Sequence, residues 1–181
     1  LRQKWEHPFM RLSMVELSVL VGTSGLMVIA KNQKAHAHLA RQFKERQVAK
    51  RYMALVVGTI AHKDGVINAP IGRHRKARQR MSTVSNGKDA STRYTVQTYY
   101  KNFSLLEVRP TGGRTHQIRV HLASVGHPLV GDSTYGRYHP QLTRHFLHAT
   151  SLGFTHPESG EDLEITSELP CELGDFLSTL S

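Results

Sequence analysis

Alternation of apolar and polar side chains is cleanest between Thr92 and Tyr100, where Thr92, Tyr94, Val96, Thr98 and Tyr100 mark one face. That period of two predicts a half-buried strand, and Asn102 turns it into a second strand over Phe103–Arg109, a hairpin. Val48–Val57 ends in a run apolar on both faces and predicts a central strand. Leu17–Lys31 predicts extended chain, broken at Gly22-Thr23-Ser24-Gly25 and resuming as a buried strand over Leu26–Ala30. Later strands are expected near Phe146–Thr155 and Leu163–Ser167, with a turn at Pro157–Glu161; Gly58 and Asp64-Gly65 mark other turns.

Helical spacing is rarer. Asn32 can cap a helix in which Ala35, Leu39 and Phe43 repeat every four residues, with Lys34, His38, Arg41 and Arg46 on the other face. A second helix follows Gly112 and Gly113, which can take positive φ and turn the chain sharply after Pro110. Thr115 can cap it, and Ile118, Leu122 and Val125 form its apolar stripe. Arg119 lies on the flank of that stripe, so its guanidinium can reach over a neighbouring sheet. Gly126-His127-Pro128 ends the helix, because proline cannot continue it. Cys171–Leu180 predicts a short closing helix, and residues 1–16 show no clear period. Hairpin strands with few helices predict an α+β domain with a largely antiparallel sheet.

Charge changes the picture. The 181 residues carry 24 Lys plus Arg against 14 Asp plus Glu, a net charge of +10. The excess is clustered: Arg73, Arg75, Lys76, Arg78 and Arg80 place five cations in eight residues, and Arg41–Arg51 holds five against one Glu. Such runs repel one another unless an anion neutralises them, and a phosphate backbone does so while releasing counterions. RNA is the expected partner. The single cysteine, Cys171, excludes an internal disulfide and fits a reducing compartment, the cytoplasm or an organelle matrix. The longest apolar run, Tyr52–Val57, is too short to span a bilayer, so no membrane partner is expected.

Gly112–Gly136, reading GGRTHQIRVHLASVGHPLVGDSTYG, resembles the signature of the RluA/RluD-type pseudouridine synthases, which isomerise uridine in ribosomal or transfer RNA. TSGLMVIAK (Thr23–Lys31), KRYMALVVG (Lys50–Gly58), PIGRHRKARQRM (Pro70–Met81) and LHATSLGFTHPESGEDLEITSELP (Leu147–Pro170) resemble the family in the same order. The resemblance implies a mixed, largely antiparallel sheet with flanking helices and a central RNA cleft. It implies chemistry without metal or cofactor: an extruded uridine is attacked by an aspartate, and the base detaches, rotates and re-bonds through carbon. It makes Tyr52 and Arg119 the candidate catalytic residues, the tyrosine against the base and the arginine pairing the carboxylate. Arg73, Arg75, Lys76, Arg78, Arg80, Arg114 and His116 are the candidate RNA contacts. A monomer is expected.

One part is missing. Counted back from Thr23, the position of the family's aspartate is Leu20, with Ser18 and Leu17 where its arginine and histidine stand. Residues 17–22 contain no acid, and the nearest upstream carboxylate, Glu16, is displaced by four residues, about 13 Å along a strand. Asp132 is an acid inside a matched motif, but nothing in the resemblance makes it the nucleophile. Residues 1–22 are therefore read as divergent or foreign, and residues 23–181 as an N-terminally truncated synthase-like domain. On that count Leu20 is expected to face an Arg119 guanidinium without its carboxylate partner.

Two other chemistries are weaker. His36 and His38, and His116 and His121, are spaced unsuitably for chelation from one helix face, which argues against a metal site. Gly112-Gly113 before a helix could cradle a phosphate, but no Gly-Lys-Ser/Thr follows to suggest nucleotide hydrolysis. Three functions remain: an impaired uridine isomerase, a non-catalytic RNA-binding or RNA-folding protein on the same cleft, and a non-functional fragment.

Overall fold

The computed structural model describes residues 22–74, 77 and 80–180. Leu20, the rest of the segment up to residue 21 that was read as divergent, and Arg75, Lys76 and Arg78 lie outside the described residues. The elements run in the order β1 (Ser24–Gly25), α1 (Gln33–Lys44), β2 (Ala49–Val57), β3 (Asp64–Asn68), β4 (Ile71–Arg73), β5 (Met81–Thr83), β6 (Ser91–Tyr100), β7 (Phe103–Pro110), α2 (Gln117–Ser124), β8 (Leu147–Thr155), β9 (Asp162–Thr166) and α3 (Cys171–Ser178).

One sheet of seven strands carries the fold in the order β1-β8-β2-β7-β6-β3, with β9 also pairing β8. Every pairing in it is antiparallel except β1 with β8, so the sheet is mixed and largely antiparallel. The run apolar on both faces sits where its pattern requires, since β2 is hydrogen-bonded between β7 and β8. Strand alternation then sorts the core into two layers. Ala54 and Val56 of β2, with Leu106 and Val108 of β7, meet Ile118 and Leu122 of α2. Leu55 and Leu105 point the other way, onto Phe146 and onto Leu173 and Phe176 of α3. Each buried Val, Leu, Ile or Phe side chain among these contributes about 1.5–3 kcal/mol.

At the sheet's end α1 packs Leu39 onto Val48, Leu152 and Phe154. Its buried Gln42 replaces a missing strand partner: Nε2 donates to Thr155 O at 2.8 Å and Oε1 accepts Thr155 N–H at 2.9 Å. Asn32 caps α1 as its side chain predicts, accepting Ala35 N–H at 2.8 Å. The β6–β7 hairpin also forms, with a register shift between Val96 and Thr98.

Several expectations are corrected. Leu26–Ala30 is not a strand: only Leu26 N–H reaches Ala149 O, and Met27 and Ile29 face outward. Asp64-Gly65 begins β3 and is not a turn. Phe43 is 42% exposed, because α1 meets the sheet edge through Leu39 and Gln42. Arg46 lies beyond the end of α1, with φ of 61°. Val125 is likewise exposed and outside α2. Neither Gly112 nor Gly113 takes positive φ; the left-handed residue before α2 is His116, with φ of 55°, and it stands at the cap position that the sequence suggested for Thr115. No side chain caps α2 there, while Gln117 Oε1 accepts Arg114 N–H at 3.1 Å.

Candidate active site

A cavity of about 320 Å³ opens between β1, β2, β8 and the N-terminal end of α2. Tyr52 enters it from β2. Residues 50, 52, 54 and 56 share one face of that strand, so the phenol stands just beyond the core formed by Ala54 and Val56. Tyr52 pairs with Val108 on one side and Ala149 on the other, and burial pushes its phenol above the usual pKa. Thr23, Ser24 and Gly25 form the opposite wall. Gly25 must be glycine: φ is +101° and a Cβ would lie 2.2 Å from Ala149 O.

Arg119 reaches the same cavity from α2. Its Nε donates to Asp132 Oδ2 at 2.7 Å and its Nη2 to Asp132 Oδ1 at 2.8 Å. Asp132 is 1% exposed and also accepts the backbone N–H groups of Thr134 and Tyr135, at 2.9 and 3.1 Å. Burial alone would raise the pKa of this carboxyl, but the Arg119 hydrogen bonds and charge, with the two amides, hold it below the ordinary value. The expected carboxylate-free guanidinium is thereby corrected: Arg119 has a buried carboxylate partner. Among the described residues Nη1 carries no hydrogen bond, and no buried side-chain nitrogen is unsatisfied, so this third nitrogen is open to the cavity or to solvent.

The loop after α2 holds more than Asp132. Tyr135 lies between two guanidiniums, with Arg119 Cζ 5.0 Å and Arg80 Cζ 5.5 Å from its ring centre. Its Oη accepts Met81 N–H at 2.9 Å and shares a 2.8 Å hydrogen bond with Nδ1 of His116. Burial and then the Arg119 charge lower the His116 pKa, so the neutral ring can accept a hydrogen bond from the phenol O–H. His145 Nε2 lies 3.1 Å from the Thr23 hydroxyl, and burial followed by the Arg119 charge lowers its pKa to about 4. His121 is not a ligand in waiting: Nε2 donates to Ala69 O at 2.9 Å, and Nδ1 accepts from the Thr92 hydroxyl at 2.8 Å. It ties α2 to β6. Among the described residues no three His, Cys, Asp or Glu side chains gather closely enough to hold a metal ion.

Tyr52, Arg119, Arg114 and His116 all line the one cavity. Arg114 also donates from Nε to Asp89 O at 3.3 Å. Arg73 ends β4, and Arg80 precedes β5, so these two flank the basic run on a separate two-stranded ribbon. The described part of that ribbon is tied to Tyr135, which in turn hydrogen-bonds His116 of the cavity wall. Sequence reasoning missed Tyr135, His145 and Lys50, and it left Asp132 without a role. The only signal for Asp132 was an acid directly after Gly131, whose φ of +77° and 2.5 Å Cβ approach to Arg144 O require glycine.

The comparison that decides the family is a match to residues 21–124 by the model described as RNA pseudouridylate synthase. The chain belongs to the RNA pseudouridylate synthase family. Among relatives of this pseudouridylate synthase chain, the ribosomal large subunit pseudouridine synthase D of Nitrosomonas europaea is 47% identical, covering 87% of this chain and 48% of its own length. The uncharacterized RNA pseudouridine synthase YlyB of Bacillus subtilis is 44% identical, covering 87% and 52%. The chain thus spans about half the length of the curated relatives it matches. The solved structure of human RNA pseudouridylate synthase domain containing 1 superposes with a TM-score of 0.77 at 32% identity, over 96% of this chain and 73% of that one. The pseudouridylate synthase fold accounts for the mixed sheet and its flanking helices. No helix among the described residues is long and apolar enough to cross a membrane.

Proposed function

We propose that the cavity receives a uridine extruded from a structured ribosomal or transfer RNA, and that this chain, with its present sequence, holds the uridine without isomerising it. The observation that carries the first half is the meeting of Tyr52 and Arg119 in one cavity with the Thr23–Gly25 wall. Those are the two side chains that the family resemblance assigns to the reacting nucleotide. Tyr52 offers a ring face for a pyrimidine, and the raised phenol pKa keeps it protonated and neutral near pH 7. Arg119 offers its remaining nitrogen to an anion, while Asp132 fixes the guanidinium plane.

The second half rests on Leu20. Covalent attack on the nucleotide needs a carboxylate, and residues 17–22 supply none. Asp132 is a poor substitute: it is buried, and both oxygens are committed to Arg119 and two amides. Base positioning by Tyr52 and Arg119 does not replace the missing bond-forming step. Residues 1–22 remain assigned as a divergent segment ahead of the synthase-like domain, and a monomer remains the proposed state.

The test uses rigorously purified protein, free of host synthases, and transcribed ribosomal and transfer RNA. Expected are salt-dependent RNA binding and no pseudouridine. Pseudouridine formation would overturn the second half and point to another acid. Absence of RNA binding at low salt would overturn the first.

A further inference from the structure

We propose that the side of the cavity formed by Met27, Phe43 and Lys50 is a second nucleotide subsite, which takes an unpaired ribonucleotide adjacent to the uridine. The base would stack on Phe43 beside Met27, and the phosphate would lie on the Lys50 ammonium. This rests on the proposed reading of the cavity as an RNA site.

Three independent features meet there. Phe43 has the helical spacing of a core residue, yet it is 42% exposed on the cavity wall, and Met27 beside that wall is 52% exposed. An exposed ring at the edge of a basic cleft is suited to a nucleobase, because every base presents a π-face and stacking tolerates any sequence. Lys50 is the second feature. Its Nζ lies 5.7 Å from the Phe43 ring centre and donates one hydrogen bond, to Gly112 O at 2.6 Å. Burial lowers its pKa, and among the described residues no carboxylate lies within ion-pair distance of it. A partly desolvated ammonium without a counter-ion, with two further N–H groups, calls for an anion. The third feature is spacing. Lys50 and Tyr52 are next but one along β2 on the same face, about 7 Å apart. That is on the scale of one nucleotide step in an extended single strand.

The occupant is therefore a nucleotide of the same strand and not an apolar peptide. Arg114 and the Gly112-Gly113 backbone adjoin it on the cavity wall, where no carboxylate side chain stands among the described residues. A hydrophobic partner would leave Lys50 uncompensated.

The probe is a short uridine-rich RNA hairpin with one 2-aminopurine in its loop, on the 5′ side of a loop uridine in one version and on the 3′ side in the other. Binding to the whole chain is expected to quench 2-aminopurine in one version. Phe43→Leu should abolish that quenching and weaken binding roughly 5-fold or more, the range for loss of one stacked base. Phe43→Trp should restore both. Lys50→Met should lower the slope of log affinity against log salt by about one phosphate contact. Thermal melts of each variant report whether the fold is intact. Tight RNA binding with no quenching change in Phe43→Leu would overturn the subsite and leave the uridine reading standing. Failure of the unaltered protein to bind either probe would remove both proposals.

Discussion

Arg119 and Asp132, 13 residues apart, form a two-point ion pair in which Nε and Nη2 of the guanidinium each meet their own carboxylate oxygen, at 2.7 and 2.8 Å. The pair joins α2 to the loop that follows it. Because the carboxylate is inaccessible and the guanidinium nearly so, neither partner is easily replaced by water.

Asp132→Ala should therefore destabilise the protein by about 3–5 kcal/mol, the cost of leaving a buried charge alone. Arg119→Met combined with Asp132→Ala should recover much of that loss, with a coupling of more than about 1 kcal/mol in a double-mutant cycle. Urea denaturation of the four proteins measures it. Additive losses would mean that the pair is not formed in solution.

Tyr135 should hold the basic ribbon to the cavity. Tyr135→Phe keeps the ring between Arg80 and Arg119 but removes the acceptor of Met81 N–H and the partner of His116. A cost of about 1–2 kcal/mol is expected. Amide exchange at Met81 should accelerate more than exchange at Leu106 in the central layer. Equal changes at both amides would show only a general loss of stability.

Acid should weaken the fold through His145. Its folded pKa is about 4, below the roughly 6.5 of an unfolded histidine, so the unfolded chain binds more protons between these values. The contribution is complete above about pH 6.5 and is lost as pH falls through that window towards 4, by at most about 3 kcal/mol. His145→Gln, which keeps a polar group near Thr23, should flatten stability against pH across that window. An unchanged profile would assign the acid sensitivity to other groups.

Neutralising Arg75, Lys76 and Arg78 together should weaken structured-RNA binding and reduce its salt slope by roughly two to three phosphate contacts. Titrations at several salt concentrations decide this. A slope identical to that of the unaltered protein would leave the run as a solvated loop.

Much of the fold was legible because it rests on local pattern. Alternation in β6, the doubly apolar run of β2 and the Asn32 cap each report a neighbourhood of a few residues, and the sheet uses them as written. Family-like blocks likewise pointed to Tyr52 and Arg119, and the two do line one cavity. Patterns that needed a partner were misjudged. Phe43 has core spacing, but α1 docks at a sheet edge through Gln42, which hydrogen-bonds the Thr155 backbone, and the ring is left outside. Thr115 was a reasonable cap until His116 took the left-handed conformation. Leu26–Ala30 lacked a strand to pair with beyond its first amide. Above all, sequence separation hid the electrostatics. Whether Arg119 was paired depended on a glycine-dependent turn at Gly131 bringing Asp132 back under α2. By itself the sequence determined most of the long strands and the helices, the positive charge and the family of the chain. Only tertiary structure decided which charges are neutralised, because a charge pair is made by distance in space and desolvation, and neither is encoded in the spacing of residues along the chain.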